Sequence, residues 1–224
     1  MENIEKGYTP LTFDMYDETF CSNEILLKEA YNRAWETRNF EIDKFWLRTA
    51  FFWGFIAIIF GGYVTVMTSD NNEKLLLMNF DFYLILLGII FSLAWLLVII
   101  GSKNWQENWE AHIDMLEDKI TGPLYKTINC PSIPYYSVSK INIFLSVLII
   151  IVWIAILLQN LIFVKSLKEI NLHIVFSVII TIIAIFLLLL LCRTGNGIFK
   201  IKKSIRKQFK NNDGSFTRFI NRWE

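Results

Sequence analysis

Four blocks of consecutive apolar residues, approximately Thr49 to Met67, Phe82 to Ile100, Ile143 to Val164 and Leu172 to Cys192, set the organisation of this chain. Each is close to the roughly twenty apolar residues that a helix needs to cross a hydrocarbon core. The pattern predicts an all-α, polytopic membrane protein with four transmembrane helices and cytoplasmic helical extensions. The polar stretches between the blocks give the rest of the chain its character. Met1 to Phe20 holds Gly7, Pro10 and several acidic residues with no clear period, and reads as an irregular arm. At Ser22-Asn23-Glu24 a helix cap is expected, opening a breaker-free run that continues into the first span.

After the second span the chain leaves Gly101 without a break, so that helix should also run on into water. Wrapped at helical spacing, Trp105, Trp109, His112, Leu116 and Ile120 fall on one side, and Lys103, Glu107, Glu110, Asp114 and Glu117 on another. Such a two-faced helix calls for a partner, in the same chain or in a neighbouring copy. Thr121-Gly122-Pro123 should end it, Gly at a left-handed position and Pro unable to continue the ladder. In the helix leading into the first span, Arg38, Lys44 and Arg48 either face that acidic side or belong to an ordinary solvated amphipathic surface. Trp46 and Trp53 fall where interfacial aromatic rings are favoured.

The segmentation follows: an N-terminal arm over 1–22, a cytoplasmic helix with the first transmembrane pair over 23–101, a cytoplasmic helix and connector over 102–140, the second pair over 141–192, and a basic tail over 193–224. In the first span Gly54, Ala57 and Gly61 line one stripe, and small residues let membrane helices approach closely.

The chain's net charge of +1 conceals an asymmetry. Arg and Lys gather around both termini and the middle loop, and only Lys74, Lys165 and Lys168 lie on the other side, so the termini and middle loop are placed in the cytoplasm. Beyond Thr194-Gly195-Asn196-Gly197, apolar residues recur at helical spacing among Lys200, Lys203, Arg206, Lys207 and Lys210. That pattern predicts a basic amphipathic C-terminal helix lying on anionic lipid at the inner leaflet, in preference to nucleic acid. Phe216, Phe219, Ile220 and Trp223 add a small apolar face at its end.

Candidate chemistry is sparse. Cys21, Cys130 and Cys192 are widely separated and suggest neither a disulfide framework nor a zinc site. The polar, acidic N-terminus is unlike a cleaved signal peptide. Glu107, Glu110, His112 and Asp114 are the one crowded set, but His112 points away from the carboxylates on a helix and reads as a hydrogen-bonded residue among Trp105, Trp109 and Leu116. Phosphate-binding loops, HExxH and nucleophile-elbow motifs are absent, and no Asp, Glu, Lys or Arg sits inside a span as coupled transport would need. The expectation is a protein without catalytic residues or cofactor.

One further pattern is distinctive: Arg38, Glu41-Ile42, Phe45-Trp46 and Arg48 before an aromatic span, then Gly101-Ser102-Lys103, Trp105, Asn108-Trp109-Glu110, His112-Ile113 and Leu116-Glu117 after the next. Over about Tyr31 to Lys126 the chain resembles the RipA-like bacterial inner-membrane proteins. The resemblance implies an oligomer, described for that group as an octamer, linked to envelope physiology and without catalytic residues to carry over. Arg38, Glu41, Trp46, Arg48, Trp105, Trp109, Glu110, His112, Asp114 and Leu116 are accordingly expected at a cytoplasmic or oligomer interface. The expected partners are further copies of the chain, anionic lipid and a possible unidentified protein. Two roles are open, an envelope-associated scaffold and a membrane-permeabilising effector or channel of a bacterial defence module; an enzyme would have to use Glu110 and Asp114.

Overall fold

The computed structural model describes residues 13–69, 79–129, 136–163, 172–192 and 216–218. Among them run α1 (Phe13–Phe20), α2 (Glu24–Thr68), α3 (Phe80–Leu116), a 3-10 turn (Glu117–Lys119), β1 (Thr127–Asn129), α4 (Val138–Phe163), α5 (Leu172–Leu191) and β2 (Phe216–Arg218). The protein is all-α in class, with one short antiparallel ribbon in which Thr127 lies opposite Arg218 and Asn129 opposite Phe216. Residues 70–78 and 164–171 between paired spans, residues 130–135 of the connector with Pro131 and Pro134, and the basic residues Lys200 to Lys210 lie outside the described residues. Of the final apolar face, Phe216 belongs to a strand rather than to a helix.

Three helices, within Glu24–Thr68, Phe80–Lys119 and Val138–Leu161, are long and apolar enough to cross a membrane, and a shorter apolar helix covers Val175–Leu191. The cap expected at Asn23 is present: its Oδ1 accepts the Ile25 N–H at 2.9 Å. From there α2 runs unbroken for 45 residues, more than twice the rise needed for a hydrocarbon core of about 30 Å. No proline interrupts it. The same holds for α3, 37 residues long, which starts after Asn79 in the left-handed region (φ 54°). Gly122 takes the positive φ (68°) expected after this helix.

The chain forms two compact units, one of Met1–Asp43, Asn104–Tyr135 and Thr194–Glu224, the other of Lys44–Lys103 and Tyr136–Arg193. In the second, α2 turns Phe45, Thr49, Ile56, Ile59 and Val66 inward, and α3 turns Ile85, Gly88, Ser92, Trp95, Ile99 and Ser102 inward. The alternating three- and four-residue steps on α3 give the 3.5-residue period of knobs-into-holes packing. Ile56 packs with Trp95, and Ile59 with Ile85 and Trp153. Gly88 lies against the Trp153 indole, where a Cβ would fall 2.3 Å from a ring carbon. The Ser92 and Ser146 hydroxyls donate to the Gly88 and Ile143 carbonyls, which settles two hydroxyls in an apolar setting.

The first unit has the more unexpected core. Its arm was expected to be irregular, yet Phe13–Phe20 is a helix whose Tyr16 packs with Leu27 of α2 and Leu116 of α3. Eight residues are too few to display a helical period convincingly, and α1 gains its stability from packing rather than from propensity.

Candidate functional site

The polar parts of α2 and α3 meet inside the first unit. Arg38 Nη2 lies 3.4 Å from Glu110 Oε1, with the two side chains 21% and 15% exposed. The guanidinium also lies over the Trp35 ring at 5.5 Å and the Tyr125 ring at 5.6 Å, and those rings meet edge to face. Arg suits this position because its flat, weakly hydrated cation can stack and pair at once. One turn onward, Gln106 Nε2 donates to the Glu41 carbonyl at 3.4 Å.

Tyr125 is positioned by a carboxylate that the helical wheel had grouped with the solvated acidic face. Glu117 is fully buried, and its two oxygens accept the Tyr125 N–H at 2.7 Å and the Lys126 N–H at 3.1 Å. The Lys126 ammonium, itself buried, reaches Glu117 at 3.9 Å and Asp118 at 2.9 Å. Burial pushes the Glu117 carboxyl up from its ordinary range, while the two N–H groups and the ammonium pull it back. The glutamate thereby folds the chain after Gly122 back over α3.

On the other side of α3, His112 accepts from the Tyr16 hydroxyl at Nδ1, 2.8 Å away. The rings stack at 5.7 Å, and Trp109 adds a second ring 5.5 Å from the imidazole. Burial lowers the His112 pKa, so the imidazole stays neutral and able to accept. Asp17 closes the same contact with an ion pair to Lys119 at 2.8 Å, which holds the Asp17 carboxyl below its ordinary range.

The expected residues therefore separate. Arg38 and Glu110 form a pair within one chain, and His112 is hydrogen-bonded, though to Tyr16 rather than within the tryptophan face. Leu116 is core, whereas Trp105 is 46% and Trp46 50% exposed, so the tryptophan side packs only toward its Leu116 end. In the second unit Arg48 donates to the Ser102 hydroxyl at 2.8 Å. Glu41 and Asp114 are half-buried. Among the described residues, nothing lies within 4 Å of a Cβ built on Gly54 or Gly61, and Ala57 is exposed; Gly88 is a glycine that permits close packing here. Sequence reasoning missed Trp35, Tyr125 and Tyr16 because the contacts that give them meaning are long-range. Among the described residues no group of three or more His, Cys, Asp or Glu is placed to hold a metal ion.

A polar crown in the first unit, locked by a stacked Arg–Glu pair, and, in the second, apolar helices packed on Trp95 and Trp153 are the features against which relatives can be judged. The sequence model of the octameric membrane protein family (8xMP) matches residues 28–163. The chain belongs to this family. The match takes in all of α3 and extends through α4, beyond the region of the resemblance seen in the sequence, and it supports self-association in a membrane. No curated protein and no solved structure matches the chain.

Proposed function

We propose that this octameric-family protein is a non-enzymatic scaffold of the bacterial cytoplasmic membrane, with both termini and the middle loop in the cytoplasm. The observation that carries the reading is the commitment of the charged groups in the crown. Arg38 with Glu110, Glu117 with Lys126, and Asp17 with Lys119 are paired inside the chain, and His112 is held neutral by burial. Groups tied up in this way shape a surface; they are poorly placed to turn over a substrate. The basic tail would hold the crown against anionic headgroups, each Lys or Arg contributing about 1 kcal/mol near the surface. An envelope-associated role and an additional protein partner fit a rigid crown repeated around an oligomer.

A second reading, a membrane-permeabilising effector or channel of a defence module, draws support from the second unit. There Asn142, Ser146, Ser177 and Thr181 are buried in the spans, and among the described residues the indole N–H groups of Trp95 and Trp153 have no acceptor. Buried polar groups in a membrane are costly and commonly mark a path for water or ions. Proteoliposome flux separates the two: the scaffold predicts dye and ion retention at the background level, and sustained leakage would favour the channel.

A further inference from the structure

We infer that the seam between α3 and α4 in the second unit binds water, one molecule against each of the buried indoles Trp95 and Trp153; this goes beyond the scaffold reading, which gives the seam no ligand. Both rings are fully buried, and among the described residues their N–H groups have no acceptor. The Thr49 hydroxyl, buried on the inward face of α2 between Phe45 and Ile56 of the Trp95 cluster, has no partner there either. An indole N–H can only donate, so what completes these groups must accept a hydrogen bond. Lipid oxygens cannot do so, because neither ring has exposed surface.

The seam supplies the remaining partners that a buried water needs. Gly88 of α3 meets the Trp153 ring, and the Gly88 carbonyl accepts from the Ser92 hydroxyl at 2.7 Å. Seven residues further along α3, the cluster of Trp95 and Ile99 packs with Ile143, Leu145 and Ile149 of α4. Ser146 lies among those three residues, is fully buried, and precedes Trp153 by seven residues. Two turns along each helix therefore bring Trp95 level with Ser146. Ser92 and Ser146 each donate to a carbonyl of their own helix, which leaves oxygen lone pairs to accept from water. A water that accepts from the indole, donates to a serine oxygen and donates again to a backbone carbonyl reaches the roughly three bonds usual for a buried one.

The chemistry favours water over the other small acceptors. Between Gly88 and Trp95, and between Ser146 and Trp153, there is no charged residue to balance an anion, whose burial costs far more than that of a neutral molecule. Ring faces are the other candidate: Trp53 meets Trp95 at 5.5 Å and Tyr63 meets Trp153 at 6.2 Å, both close to edge to face. A ring accepts an N–H more weakly than an oxygen does.

The test uses the full chain in nanodiscs with isotope-labelled indoles, the two resonances being assigned with Trp95→Phe and Trp153→Phe. Through-space cross-peaks from both N–H protons to water are expected. Ser146→Ala, with an unchanged helical circular dichroism signal, should weaken the Trp95 cross-peak about twofold or more and leave that of Trp153 unaltered, because one water loses one of its partners. A missing water cross-peak at either indole, with its proton shifted upfield as over a ring face, would overturn the proposal, as would a Trp95 cross-peak indifferent to Ser146→Ala. Indole shifts that follow the exchange of chloride for bromide would overturn it as well, by making an anion the occupant. A seam closed at both ends keeps its water in a scaffold that leaks nothing, so this inference and the scaffold reading fail independently.

Discussion

The Tyr16 hydroxyl and the His112 imidazole, 96 residues apart in the chain, meet at 2.8 Å with their rings stacked. This contact ties α1 to α3 and has a pH signature. Because burial lowers the His112 pKa when α1 is docked, docking is at full strength where the imidazole is neutral in both states, above about 6.5, and weakens as pH falls below it. Limited proteolysis near Phe20 should accelerate between pH 7.5 and 5.5 in the wild type and much less in His112→Gln. The Asp17–Lys119 pair contributes its own loss only at lower pH, as the Asp17 carboxylate is protonated. An unchanged cleavage rate down to pH 5.5 would contradict the contact. Tyr16→Phe keeps the ring and should cost about 1 kcal/mol.

Gly88 and Gly54 should respond in opposite ways to the same substitution. Gly88→Ala drives a Cβ into the Trp153 ring and should destabilise the protomer by about 1–3 kcal/mol. Gly54→Ala meets open space within the chain and should leave the protomer's thermal unfolding in detergent unchanged. Equal effects of both would contradict the described packing.

Glu117→Ala leaves the Tyr125 and Lys126 N–H groups without their acceptor, while the Lys126 ammonium keeps Asp118 at 2.9 Å, and should cost about 1–3 kcal/mol for each orphaned N–H. The Trp35 environment should change with it, because Tyr125 is held against that ring through Glu117. Tryptophan emission that stays the same while stability falls would separate the two roles.

On the helix that carries the tryptophans, Leu116→Ala should cost about 2–5 kcal/mol, since Leu116 is core. Trp105→Ala, at a half-exposed position, should leave protomer stability within about 0.5 kcal/mol. Detergent melting curves of the two variants provide the comparison.

The sequence revealed what periodicity can encode. The apolar blocks marked the spans, the breaker-free runs after Asn23 and Gly101 foretold two rods, and Gly122 announced its own left-handed turn. The pairing of Arg38 with Glu110 was one of two readings the charges allowed. What stayed hidden depends on contacts between distant segments. A helix as short as Phe13–Phe20 leaves no period to read, and Glu117 looks like any surface carboxylate until the chain folds back to give it two N–H groups. Gly54 and Gly88 are indistinguishable by type; only the presence of Trp153 beside one of them divides inner packing from an open face.

The central claim, that this family member works as an octamer, is tested most directly by the mass of the detergent-free particle. Mass photometry of the wild type in nanodiscs should give one population at eight chains, and a population of single chains at every protein-to-lipid ratio would contradict it.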